Sequence, residues 1–174
     1  MNAFRTMVRS CLVLGWLASA DAIAADIVWK AEAPRDEIRP IFEDHNDGIL
    51  SLRADDRAGL NGWWSAPLPA EPGQHFRLTV RRRATGMDAE QVRRAATVRL
   101  LWQNENGDHV VRDEPTFASY RLGQAPRAEP EFPADTGTDA DWTIVSGAYR
   151  APAAATQARV ELHFRWGPPN SRIE

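Results

Sequence analysis

The sequence holds a single cysteine, Cys11, in 174 residues. A disulfide framework is excluded, and so is a zinc site built on paired thiolates. Positive charge is not in excess either, with 21 basic against 24 acidic residues and a net charge of −3. That balance lacks the basic footprint that a phosphate backbone demands, so nucleic acid is excluded as a partner. Catalytic signatures are missing as well. No Gly-x-Ser-x-Gly turn surrounds Ser51, Ser65, Ser119 or Ser146, and no glycine loop is built to cradle phosphates. Asp113 and Glu114 are adjacent, so on a strand they point to opposite faces, whereas two-carboxylate hydrolysis needs groups facing across a cleft. The four histidines show no metal-ligand spacing. The chain is expected to bind rather than to catalyse.

Long apolar runs are confined to the N-terminus. Arg5 and Arg9 form a positive region, Cys11 to Ala20 an apolar stretch, and Ala22-Ile23-Ala24 offers small residues at a cleavage site. A buried N-terminal helix would also explain the run. The order of charge, apolar stretch and small residues predicts instead a secretory signal peptide over 1–24, with a periplasmic or extracellular destination. It is too short and wrongly flanked for a membrane span. Cleavage after Ala24 leaves 25–174, the length of one domain. Arg5, Arg9 and Asp21 leave with the signal, so 19 basic residues face 23 acidic ones, a net charge of −4. Cys11 leaves too, and a domain without disulfides must be held by packing.

What the remainder does have is the period of strands. In His75 to Arg83, Phe76, Leu78 and Val80 alternate with Arg77, Thr79 and Arg81. In Thr97 to Glu105, Val98, Leu100 and Trp102 share a face. In Ala158 to Trp166, Val160, Leu162, Phe164 and Trp166 point one way, and Arg159, Glu161, His163 and Arg165 the other. Such alternation predicts strands with one buried and one wet face. Weaker strands are expected over Ile27–Ala31, Gly48–Ala54, Gly62–Ala66 and Trp142–Tyr149. Turn residues separate them, among them Asn46-Asp47-Gly48, Glu71-Pro72-Gly73 and the hairpin signal Asn106-Gly107. Met87 to Ala96 reads as a loop or one helical turn. Residues 123–141, rich in proline and acids and without period, read as a long surface loop, functional or a mobile linker. The expected fold is all-β, an antiparallel β-sandwich of jelly-roll type.

The order of motifs carries a resemblance. Gly62-Trp63-Trp64-Ser65 leads through Pro69-Ala70-Glu71-Pro72-Gly73 to the strand ending in Arg81-Arg82-Arg83. Val98-Arg99-Leu100-Leu101-Trp102, Asp141-Trp142-Thr143, Tyr149-Arg150-Ala151-Pro152 and Ala158-Arg159-Val160-Glu161-Leu162 follow. This succession resembles the galactose-binding-domain-like jelly rolls, which include many carbohydrate-binding modules. Arg112-Asp113-Glu114-Pro115, Ala128-Glu129-Pro130-Glu131 and Leu162-His163-Phe164-Arg165-Trp166 are similar to modules that precede a carbon–nitrogen hydrolase (nitrilase-superfamily) domain in secreted bacterial proteins. That resemblance implies a catalytic domain C-terminal to this region as a partner. The hydrolase's catalytic Glu, Lys and Cys have no counterparts here: residues 25–174 hold no cysteine and only Lys30. Jelly rolls of this kind end in a further strand beside the first. The sequence stops at Ser171-Arg172-Ile173-Glu174, where that strand begins, so a sandwich lacking its last strand, and a C-terminally incomplete one, is expected.

Three groups of residues are candidate sites. Six tryptophans fall within 25–174, and indole stacks on the apolar face of a sugar ring. Trp102 and Trp166 share a face with Val, Leu and Phe and read as core. Trp63 and Trp64 point to opposite faces, one buried and one free, and with Tyr120 they form the candidate sugar platform. The second group is the wet phase of the strands: Arg77, Arg81, Arg99, Gln103, Arg159, Glu161, His163 and Arg165. If those strands are neighbours, Arg81, Arg99, His163 and Arg165 suit an acidic or heavily hydroxylated glycan; a solvated face with cross-strand ion pairs is the other reading. The third group, Asp44, Asp47 and Asp55 with Asn46 and Asp56, could hold a structural calcium, as modules of this fold often do. Two functions remain: a glycan- or cell-surface-binding module, or an ancillary structural domain of a secreted carbon–nitrogen hydrolase that binds no sugar.

Overall fold

The structure, a computed structural model, describes residues 27–45, 48–114 and 125–174. The expected signal peptide, Asp47 and Tyr120 therefore lie outside the described residues. Eleven strands and one helix follow one another among those described: β1 (Lys30–Glu32), β2 (Ile41–His45), β3 (Ile49–Arg53), β4 (Asn61–Pro69), β5 (His75–Arg82), β6 (Ala84–Thr85), α1 (Ala89–Ala95), β7 (Ala96–Gln103), β8 (Ala134–Asp139), β9 (Trp142–Arg150), β10 (Gln157–Arg165) and β11 (Arg172–Ile173). All pairings are antiparallel. The all-β sandwich is the observed fold.

One sheet has the order β1-β4-β10-β7. The other comes in two parts, β2-β3-β11-β6 and β5-β9-β8. Arg83, between β5 and β6, joins them: its N–H and C=O both bond to Glu174, at 2.9 and 2.8 Å. The last residues of the sequence thus lie inside a sheet. Arg172–Ile173 form β11, paired on both sides, with β3 and with β6.

Register explains the core. Trp64 pairs with Leu162 and Leu162 with Val98, so three large apolar side chains form a row on the inner face of the first sheet. Ala66–Val160–Leu100 and Leu68–Ala158–Trp102 are the adjoining rows. From the second sheet, Leu52, Val145 and Ile173 are buried against them, and Phe76 meets Trp102 edge-on at 5.6 Å. Gly62 lets the end of the sandwich close, because a Cβ there would stand 2.7 Å from the Pro40 ring and 2.9 Å from Phe42. Phe42 in turn packs edge-on against Trp64 at 5.2 Å.

Four elements differ from the sequence reading. β2 had no predicted counterpart, because Ile41 and Phe42 break its alternation. Met87 to Ala96 holds a two-turn helix where a loop or one helical turn was expected, started by a capping box in which Asp88 and Gln91 each bond the other's backbone N–H at 2.8 Å. The 123–141 loop contains β8, bulged between Asp135 and Gly137 and paired with β9. Trp166 is no core residue: β10 ends at Arg165, Trp166 takes a left-handed φ of 56°, and the residue is 62% exposed.

Arg82 ties the two sheets together. Its guanidinium donates to the Ala96 carbonyl on β7 at 2.8 Å and to both Asp135 oxygens on β8 at 2.8–2.9 Å. Arg82→Ala leaves that carbonyl without its donor and is expected to cost about 2 kcal/mol, the scale of a hydrogen bond to a charged group. In a domain of this size the melting temperature should fall by roughly 4–8 °C. Calorimetry of the variant checks this, and an unchanged transition would show that the sheets are held by apolar packing alone.

Candidate functional site

The outer face of the first sheet carries the site. Because side chains alternate across a strand, the residues between the core rows form rows of their own. Lys30–Ser65–Glu161–Arg99 is one, Glu32–Trp63–His163–Thr97 the next, and Pro67–Arg159–Leu101 a third. Four adjacent strands thus place two acids, two arginines, a histidine, a serine and a tryptophan side by side.

Hydrogen bonds join them in two halves. In the first, Ser65 Oγ donates to Glu32 Oε1 at 2.6 Å, and Arg159 Nη2 donates to the same carboxylate oxygen and, at 3.2 Å, to Ser65 Oγ. In the second, Arg99 donates to Glu161 Oε2 through Nε at 3.1 Å and Nη2 at 2.6 Å. His163 Nε2 lies 2.8 Å from that oxygen and 2.6 Å from Arg99 Nη2. One tautomer therefore donates to the carboxylate and the other accepts from the guanidinium. Arg159 Nε, 3.9 Å from Glu161 Oε1, links the halves. The Trp63 ring stacks on His163 with centroids 4.9 Å apart and planes 21° from parallel.

Glu161, His163 and Ser65 are buried, while Arg99, Arg159, Glu32 and Trp63 are part-exposed above and beside them. Burial alone would push the Glu161 carboxyl up. The hydrogen bond from His163 and the charge of Arg99 outweigh it and hold the group below its ordinary value. Burial pushes the His163 imidazole down, opposed by the Glu161 bond and reinforced by the charges of Arg99 and Arg165. The pair is an ionised carboxylate beside a neutral imidazole.

Two buried donors on this face, Trp63 Nε1 and Arg159 Nε, have no hydrogen-bond partner among the described residues. Ser65 Oγ is bonded to Glu32 and Arg159, and His163 to Glu161 and Arg99. Among the described residues the hydroxyl and the imidazole make no bond to each other, so no serine–histidine relay is assembled.

Of the residues named from sequence, the fold brings Trp63, Arg99, His163 and Arg165 to one face. Arg165 sits at the end of β10, its guanidinium 4.2 Å from the centre of the Trp166 ring. Trp64 is separated from them: it is 8% exposed, faces the interior and donates from Nε1 to the Ser51 carbonyl at 3.1 Å. Arg81 and Arg77 are separated too, since β5 belongs to the opposite sheet. Arg81 pairs with Asp139 at 2.8 Å and, with Arg83, lies over Trp142. Ser65 shares the face of Trp63 two residues away on β4, and the pairing of the short β1 brings in Glu32; neither residue was named as a candidate from sequence.

Of the calcium candidates, Asp47 lies outside the described residues. Asp55 is clasped by Arg57 at 2.8–3.0 Å, which holds its carboxyl below the usual range, and Asp44 is on the exposed end of β2. Among the described residues no group of three or more His, Cys, Asp or Glu side chains is placed to hold a metal ion. Nor, among those residues, is any helix long and apolar enough to cross a membrane.

No known protein family and no curated protein matches the chain. Among solved structures, the enzymatically active domain of tailspike protein 4 of bacteriophage CBA120 is similar, with a TM-score of 0.46 at 12% identity. The alignment covers 85% of this chain and 17% of that one.

The buried pair sets a pH dependence. A folded His163 that binds its proton less readily than the ordinary 6.5 leaves the unfolded chain holding more protons just below that pH. Stability therefore rises with pH through the window ending near 6.5. Glu161 has the same sign: its contribution is full above the ordinary 4.5 and lost as pH falls through the lower folded value. The urea midpoint should fall from pH 7 to pH 5, and fall less for His163→Gln. Equal slopes in the two proteins would assign the titration to other groups.

Proposed function

We propose that the outer face of the first sheet binds a glycan, acidic or heavily hydroxylated, and that the chain acts as a non-catalytic carbohydrate- or cell-surface-binding module of an exported protein. The observation that carries this reading is the Trp63 ring, part-exposed and stacked on His163, beside a connected set of guanidinium, carboxylate and hydroxyl groups. Trp63 offers the flat apolar surface that a sugar's C–H face requires, and Arg99 and Arg159 offer donors in fixed planar forks. With Lys30 and Arg165 on the same face, four cations stand against Glu32 and Glu161, which favours an acidic sugar.

The galactose-binding-domain-like character and the place of the module ahead of a carbon–nitrogen hydrolase rest on the sequence resemblance. An ancillary domain that bound no sugar would be expected to bury both Trp63 and Trp64. The part-exposed Trp63, stacked on His163 beside a polar network, speaks for the sugar reading instead.

A glycan-array screen followed by calorimetric titration of the best acidic oligosaccharide tests it. Trp63→Ala should weaken binding about 30-fold, the effect of losing one anchor of about 2 kcal/mol, with little change in unfolding. Trp64→Ala should do the reverse, costing about 3–5 kcal/mol of stability as a large core truncation and leaving the affinity of the folded fraction intact. A wild-type protein that binds nothing on the array, or a Trp63→Ala variant of undiminished affinity, would overturn the reading.

A further inference from the structure

Trp166 sits where the fold gains little from it. A bulky L-residue rarely adopts its left-handed φ of 56°, and at 62% exposure it adds little to the core. Glycine would make the same turn without strain. The turn itself is firmly held. Trp166 N–H donates to the Leu60 carbonyl at 2.7 Å and Asn170 N–H to the Asp55 carbonyl at 2.8 Å. The buried Ser171 donates from Oγ to the Pro168 carbonyl at 2.5 Å. Gly167 is packed so closely that a Cβ there would stand 2.5 Å from the Phe164 ring. A fixed turn thus presents an indole to the surface.

The place of presentation decides what the indole can do. Arg165 pairs with Asn61, one row beyond Trp63 and His163, and by alternation it points outward as His163 does. Its charge bears on the His163 imidazole. Its guanidinium lies over the Trp166 ring, 4.2 Å from the centre. Trp63 is supported in the same manner by His163, with centroids 4.9 Å apart. Two indoles therefore rest on side chains two residues apart on β10, roughly 7 Å along the strand. Arg159, Arg99 and Lys30 stand on one side of Trp63 along that direction, and Arg165 on the other.

Taking this face as the glycan site argued above, we propose that its ligand is an acidic oligosaccharide rather than a single sugar, lying along β10 with one unit on Trp63 and another on Trp166. One sugar ring cannot cover both indoles, whereas units of one chain can. Each contact buries the apolar face of a ring on indole. The N–H edge of Arg165, beside Trp166, suits an acid on the second unit. Because the turn and the ring are already fixed, the second unit adds contact with little ordering of the protein. Trp166 then acts as the residue that selects for chain length.

Calorimetric titration tests this with the acidic oligosaccharide that binds best on the glycan array and with each of its component monosaccharides. The wild type should bind the oligosaccharide at least tenfold more tightly than any of the monosaccharides. Trp166→Gly should cut that ratio about tenfold, and Trp166→Phe, which keeps a ring in place, should restore most of it. Glycine relieves the left-handed strain, so the melting temperature of Trp166→Gly should hold or rise. A fall would make Trp166 a structural residue and overturn the proposal. Equal affinity of the wild type for chain and monosaccharide, or an unchanged ratio in Trp166→Gly, would overturn it while leaving the Trp63 site standing. An array on which no acidic glycan binds would overturn both.

Discussion

The register of β10 between β4 and β7 constrains everything else in this molecule, because β10 is buried on both of its faces. Ala158, Val160, Leu162 and Phe164 face the interior, while Glu161 and His163, only 6% and 4% exposed, face outward. A slip of one residue would put the acid and the imidazole into the apolar core and the phenyl ring into the ion network. Both errors are costly: a buried charge without its partners loses several kcal/mol, and so does a core that loses a phenyl ring. The sandwich and the candidate site are therefore specified by the same alternation, and neither can shift without the other.

That dual role explains what was legible in the sequence. Period-two alternation assigns faces, so β5, β7 and β10 could be read directly, and Trp63 and Trp64 could be split into one buried and one part-exposed ring. Alternation carries no information about which strands are neighbours. Arg81 and Arg99 occupy the same phase of their strands, yet β5 and β7 lie in opposite sheets, and only pairing separates them. Glu32 escaped notice for the related reason that β1 is three residues long, too short for a period. β8 was hidden by its composition: Ala134–Asp139 is polar and exposed throughout, and its place is held by the ladder to β9, with ion pairs from Arg81 and Arg82 on β5 beside it. Trp166 continued the apolar phase in sequence, but a left-handed backbone at the strand's end turns it outward. The capping box of α1 was readable in Asp88 and Gln91, though its few residues have little periodicity to announce a helix.

The two faces of the first sheet differ in how their energies are arranged. Inside, cross-strand rows of aliphatic and aromatic groups lose only water. Outside, the same strands hold a network whose net contribution to stability is small, since desolvating Glu161 and Arg99 offsets much of their attraction. Threonine or valine rows would serve stability as well without leaving two donors unmatched. What the polar rows supply is preorganisation: Ser65 and Arg159 fix Glu32, while Glu161 fixes Arg99 and the ring on which Trp63 rests. Side chains already immobilised lose little further freedom when a ligand arrives, which is the condition under which a shallow polar surface binds at all. One strand pair, β4 and β10, is thus the rigid element on which the apolar rows of the core and the polar rows of the outer face are both built.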